Sequence, residues 1–142
     1  MTARVVALHL STARREPLQS PARVSALANH GLDGDRHARP NSRRSVLLVE
    51  AETLEALGLH PGDVREQVTT IGLGLDTLAT GTRLRIGDAV LEVGQPCAPC
   101  SRMDELRPGL RQTLEGRRGR FARVVEPGSF AVGDPIVTEP PG

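Results

Sequence analysis

The chain is cut into short pieces by its own turn residues. Fifteen glycines and eleven prolines fall among 142 residues, and the apolar runs between them are short, such as Val46-Leu47-Leu48-Val49. Nothing approaches the ~20 apolar residues of a membrane span. Glycine admits positive φ, and proline interrupts both helices and central strands. The pattern therefore predicts many short strands joined by tight turns.

Read along the chain, Arg4–Leu10 is a first strand and Leu18–Leu27 a second extended stretch broken at Pro21. Ser45–Val49 has the continuous apolar character of a buried strand. Ala51–Leu59 places Ala51, Leu54 and Leu57 on one helical face and ends at Gly58 and Pro61. Gln67–Ile71 reads as a strand, and Arg83–Val93 as a hairpin turning at Gly87-Asp88. Met103–Leu114 is helical with an interruption at Pro108-Gly109. Phe121–Val125 and Phe130–Val137 are the last strands, and the tail 138–142 is expected to fray. The expectation is one domain over 1–142, mainly β: a single β-barrel carrying a few short helices. A Rossmann-like fold needs strands alternating with long helices, and those are absent from the pattern.

Residue usage narrows the chemistry. All 18 basic residues are arginine and none is lysine. A pyridoxal phosphate Schiff base needs a lysine amine, and a P-loop needs its phosphate-binding lysine, so both are excluded. Arginine suits bidentate capture of phosphate and carboxylate, although a general preference for arginine codons gives the same composition. The only aromatic side chains besides histidine are Phe121 and Phe130, too few for a base-stacking nucleic-acid platform. A net charge of +1 gives no pull toward nucleic acid or a membrane surface. The N-terminus carries no secretory pattern, so the expected location is the cytoplasm.

Three constellations can carry chemistry. Gly31-Leu32-Asp33-Gly34-Asp35-Arg36-His37 crowds carboxylates, a guanidinium and an imidazole into one loop. It reads either as an Asp-rich turn capped by itself or as a loop presenting His37 for proton transfer and Arg36 as an anion clamp. Pro96-Cys97-Ala98-Pro99-Cys100-Ser101-Arg102 holds the only two cysteines. Structural zinc needs four ligands, and no second pair has the right spacing. A thioredoxin-like dithiol expects a βαβ context that is missing. Inert cysteines, or a thiolate favoured by Arg102 and a helix start, remain open. Gly116-Arg117-Arg118-Gly119-Arg120 is either a solvated basic turn or a phosphate-binding loop.

Taken together, these stretches resemble the MOSC family, named after the C-terminal domain of molybdenum-cofactor sulfurases, in its compact stand-alone bacterial form. Gly31 to His37 looks like its Gly-x-x-Gly-Asp-x-His motif, and Arg65-Glu66-Gln67-Val68 is similar to its Arg-Glu-Asn-Ile stretch. Ala98-Pro99-Cys100-Ser101-Arg102-Met103-Asp104 resembles the segment bearing the family's cysteine. Gly81 to Gly87, Gly119 to Val125 and Gly128 to Asp134 follow in register. The resemblance implies a β-barrel that handles molybdenum cofactor (molybdopterin), with a cysteine that ligates molybdenum or carries sulfur as a persulfide. It also implies reduction of N-hydroxylated compounds, with a redox partner protein or a sulfur donor.

Register gives the cysteine role to Cys100, and His37 or Asp35 is expected to handle the proton. Arg36, Arg102 and Arg118 are the expected phosphate-binding arginines, and Gln67 joins them where the family has Asn. Cys97 adds a second thiol able to close a disulfide with Cys100. A non-enzymatic sulfur or cofactor carrier, and a plain dithiol oxidoreductase, are the alternatives.

Overall fold

The computed structural model describes residues 2–141. Ten strands and three short helices follow in the order β1 (Arg4–Leu8), β2 (Arg23–Leu27), β3 (Gly31–Leu32), β4 (Val46–Glu50), α1 (Ala51–Ala56), β5 (Val68–Ile71), β6 (Arg83–Ile86), β7 (Ala89–Pro96), α2 (Arg102–Leu106), α3 (Leu110–Thr113), β8 (Arg120–Glu126), β9 (Gly128–Ala131) and β10 (Ile136–Glu139). A 3₁₀ turn spans Leu75–Thr77.

Seven strands form one sheet in the order β1-β5-β4-β8-β7-β6-β10. Its two outer strands approach each other: Arg4 bridges Pro135, Val5 N–H donates to Asp134 O (3.0 Å), and Ile136 N–H donates to Ala3 O (2.8 Å). This nearly closes the sheet into a barrel and removes most of its open edge. A small sheet, β3-β2-β9, covers one side. The expected mainly β, barrel-like class with short helices is what forms.

The barrel interior is aliphatic, as a chain with two phenylalanines requires. Leu8, Leu48, Val68, Leu84, Ile86, Leu91, Val124 and Phe130 are all essentially buried in one cluster. A second cluster lies outside the barrel wall, where Leu47 and Val49 meet Leu54, Val64, Met103, Leu110 and Leu114. β4 is thus buried on both faces, which accounts for its unbroken apolar sequence.

The hairpin expected at Arg83–Val93 forms with Gly87-Asp88 as its turn, and its second strand runs on to Pro96 through an irregularity after Val93. Several boundaries differ. Leu18–Leu27 yields a strand only from Arg23, because Pro21 withholds an N–H; Leu10 and Gln19 form an isolated bridge before it. Pro108 and Gly109 divide the Met103–Leu114 helix into α2 and α3, with Gly109 at φ +83°. The stretch Phe130–Val137 contains the end of β9, a turn, and the start of β10. The tail expected to fray is partly held, since Thr138 pairs with Leu84 and Glu139 with Arg83; Gly142 lies outside the described residues. Among the described residues no helix is long and apolar enough to cross a membrane.

Candidate functional site

The loop after β3 folds back over the start of β5. Gly31 sits at φ +140°, where a Cβ would press to 3.0 Å on both Ala38 and Ser45. Only glycine lets the loop pack this closely. The loop then buries Asp35, whose carboxylate accepts Ser11 N–H (2.8 Å), His37 N–H (3.2 Å) and Gln67 Nε2–H (3.1 Å). Burial alone would push this carboxyl up. The hydrogen bonds from His37, Ser11 and Gln67, with the His37 charge, outweigh it and hold Asp35 below the usual carboxylate value.

His37 is only partly covered. Its Nδ1 lies 3.4 Å from Asp35 Oδ2 and 3.3 Å from Gln67 Nε2, so Nε2 is the ring nitrogen left without a partner among the described residues. Gln67 is buried with both ends of its amide engaged, since Oε1 accepts Leu47 N–H at 2.7 Å. These contacts change two expected roles. Asp35 is an ionised, fully covered support for His37 rather than a proton carrier. Gln67 braces the loop instead of facing a ligand.

The arginines divide into two groups. Arg36, on the loop, and Arg102, at the start of α2, act on the same neighbour, Arg65. Burial lowers the Arg65 guanidinium below its ordinary value, and the charges of Arg102 and Arg36 lower it further. Arg65 stands at φ +61° and donates through Nη2 to Glu16 O (3.0 Å) and Ser11 Oγ (3.4 Å). Arg65 and Arg102, with His9, Gly62 and Met103, line an open cleft of about 520 Å³. Arg36 is not part of the lining; Arg15 is, together with the carboxylates Asp63 and Glu105, and the guanidiniums of the cleft offer a seat for an anion. Arg65 was not among the expected site residues, although the Arg65-Glu66-Gln67 stretch was the signal for it.

Arg118 does not line this cleft. It is buried, with Nη2 donating to Val64 O (2.6 Å) and with Nε and Nη1 unpartnered. The adjoining Gly119 O accepts Cys97 N–H at 2.8 Å, which places Arg118 beside Cys97 rather than beside Arg36 and Arg102. Both cysteines are free. Burial pushes the Cys97 thiol up, partly offset by Arg118 and Arg44, with Cys100 adding to the rise. Cys100 is exposed on the loop between β7 and α2, and its carbonyl accepts Met103 N–H (2.9 Å) as α2 begins. Cys100 is therefore an accessible sulfur, two residues from a guanidinium of the cleft.

Two buried groups were missed. His9 presents Nδ1 to Glu66 O at 3.0 Å, while its Nε2 would lie 3.0 Å from a Cβ on Gly62. Glu66 is buried, with Oε2 accepting Gly62 N–H (2.9 Å) and Thr69 Oγ1–H (2.7 Å). His9 is a single polar residue at the end of a strand and gives no signal of such pairing, whereas Glu66 lies in the Arg65-Glu66-Gln67 stretch already singled out. Among the described residues no group of three or more His, Cys, Asp and Glu side chains could hold a metal ion.

In fold the chain is similar to the YuaD protein from Bacillus subtilis, with TM-score 0.81 and 22% identity over 96% of this chain and 94% of that one. It is also similar to YiiM from Geobacillus stearothermophilus (TM-score 0.76, 21% identity, 97% and 75% covered) and to YiiM from Escherichia coli (0.74, 18%, 98% and 71%). No curated protein matches. The MOSC domain family's sequence model matches residues 33–137, from the buried-aspartate loop through the cysteine segment to the last strand, and the chain belongs to that family.

Proposed function

We propose that this protein binds a molybdenum cofactor, with Cys100 as its sulfur ligand to the metal and the Arg36, Arg65 and Arg102 cluster holding the cofactor's phosphate. The MOSC family is associated with that cofactor. The observation that carries the reading is that Arg65 and Arg102 line an open cleft, with Arg36 close enough to act on Arg65, and that the next-but-one chain neighbour of Arg102 is an exposed, free thiol. The donor set fits: a soft sulfur for the metal and planar cationic forks for a phosphate. When bound, the cofactor supplies a metal centre that exchanges electrons with substrate.

The chain's own residues do the rest. Arg102 and Arg65 orient the anionic end, and Glu105, 3.8 Å from Arg102 Nε, restrains that side chain loosely at the surface. His37 holds or moves a proton at Nε2, fixed from behind by ionised Asp35 and by Gln67. The N–O bond of an N-hydroxylated compound is the expected target, with electrons from a redox partner protein.

The exposure of Cys100 also favours a second reading, a carrier that passes sulfur or cofactor to another protein and turns over nothing alone. The test is to isolate the protein from cells that make the cofactor and to measure molybdenum and pterin. Cys100→Ser should lose both and Cys97→Ser should keep both; the reverse overturns the assignment. Reduction of N-hydroxylated bases by the loaded protein then separates enzyme from carrier. A reversible Cys97–Cys100 disulfide with no metal would favour the dithiol oxidoreductase instead.

A further inference from the structure

A second cleft, of about 340 Å³, shares no lining residue with the one above. Its origin lies in the pairing of β7 with β8. The register is regular from Leu91↔Val124 to Val93↔Ala122 and then shifts before Pro96↔Arg120. Gly94 and Gln95 fall in that irregularity. Such bulges bend a strand and re-aim what lies beside them. Gly94 has no side chain, and a Cβ placed there would meet only Phe121 O at 3.5 Å. The space beside Phe121 is therefore left open.

Phe121 is one of two phenylalanines in a chain without Trp or Tyr. Phe130 is wholly buried in the core. Phe121 is only partly covered: it packs against the outer apolar cluster, and the Arg44 guanidinium lies over its ring, 5.7 Å from the centroid. Arg43 and Arg44 also line the cleft, and neither makes an ion pair with a carboxylate among the described residues. The one carboxylate in the lining, Glu92, is already engaged by Arg123 at 3.2 Å and Arg83 at 3.7 Å. Gln95, exposed, lines the same space.

We infer that this cleft is a binding site for a flat aromatic or heteroaromatic carboxylate, its ring set against the edge of Phe121 and its carboxylate taken by Arg43 and Arg44. An aromatic edge rewards a flat ring through an edge-to-face contact. Planar guanidiniums without a carboxylate of their own reward a planar anion. A cleft near 300 Å³ is at the small end of ligand pockets and suits a compact metabolite. Gln95 offers one neutral contact for a ring substituent.

The aromatic NMR spectrum provides the test, because only two phenylalanine rings contribute besides histidine. Benzoate should shift the Phe121 signals saturably, with Kd of about 1 mM or tighter, and leave Phe130 in place. Cyclohexanecarboxylate (the charge without the flat ring) and benzyl alcohol (the ring without the charge) should each bind at least about 10-fold more weakly. Arg44→Gln and Phe121→Leu should each weaken benzoate at least about 10-fold; both keep a side chain of similar reach, and Arg44 is at the surface. Equal binding of the three probes, displacement of benzoate by phosphate at matched ionic strength, or an unchanged Arg44→Gln would overturn the assignment. The titration needs no metal or cofactor, so its outcome and that of the cofactor assay are independent.

Discussion

Gln67 holds the candidate site in shape, and its worth can be worked from three contacts. Its Oε1 satisfies Leu47 N–H in the middle of a buried strand, and its Nε2 donates to Asp35 while touching His37. Gln67→Leu keeps most of the volume and removes all three. A buried N–H left unpaired costs about 1–3 kcal/mol, and a lost hydrogen bond to a charged group about 1.5–3. The sum, reduced by the extra apolar burial of leucine, is about 2–4 kcal/mol, a large share of the ~5–15 kcal/mol typical of a domain. Gln67→Asn shortens the side chain by one methylene and can keep one end but not both, so about 1–2 kcal/mol is expected, even though Asn is usual in the family.

The same variant carries a pH signature. Asp35 is held below its ordinary value in the folded state. Its contribution is therefore fully present above the unfolded carboxyl value and is lost as pH falls through the folded one. Removing the Gln67 donor raises the folded value, so the acid limb of stability should begin at higher pH in Gln67→Leu than in wild type. Urea unfolding monitored by far-UV circular dichroism between pH 3 and 7 (roughly the carboxyl range) reads both effects. A Gln67→Leu protein within about 0.5 kcal/mol of wild type at neutral pH, with an unshifted acid limb, would refute the reasoning.

Two further substitutions test the packing. Arg120→Met should cost about 3–5 kcal/mol because it strips the guanidinium donors from the Gly94 and Leu78 carbonyls and one of two donors from Leu75 O, whereas Arg118→Met, removing a buried cation with two unpartnered nitrogens, should be neutral or stabilising; equal costs in a urea titration would contradict this. Gly119→Ala should cost at least about 3 kcal/mol, combining positive-φ strain with a Cβ driven onto Leu48 O and to 2.8 Å from Val49 Cγ2; an unchanged unfolding midpoint would show that the backbone there moves aside.

What could be read in the sequence is what the backbone decides locally. Gly87-Asp88 turns a hairpin because Leu84 and Ile86 alternate with arginines before it and an apolar strand follows that pairs back over four residues, and Pro108-Gly109 breaks a helix whatever surrounds it. The Cys100 segment and the aspartate loop were visible as concentrations of polar residues. Their arrangement was not. Gln67 reaches Asp35 because β4 and β5 run parallel, Leu48 beside Val68, with residues 51–67 crossing between them. No local signal carries that pairing. Arg65 joins Arg36 and Arg102 only after the crossover is made, so the cation cluster is a product of topology.

The run Gly116-Arg117-Arg118-Gly119-Arg120 shows why residue type alone could not assign the site. Arg117 stays at the surface and donates to Thr113 O (2.9 Å) one turn back. Gly119, at φ +113° and pressed against β4, then carries the chain into the sheet, and the arginine on either side of it is buried. Arg120 meets carbonyls from Gly94, Leu75 and Leu78 and becomes a structural rivet. Arg118 meets only Val64 O and the neighbourhood of Cys97. Neighbouring cations of one residue type thus end as a surface group, a fully bonded brace and a buried charge with donors to spare. The difference lies in what the fold places within about 3 Å of each guanidinium, the reach of a hydrogen bond. For the same reason, basic residues became evidence for anion binding here only where Arg65 and Arg102 line one open cleft, with Arg36 close enough to act on Arg65.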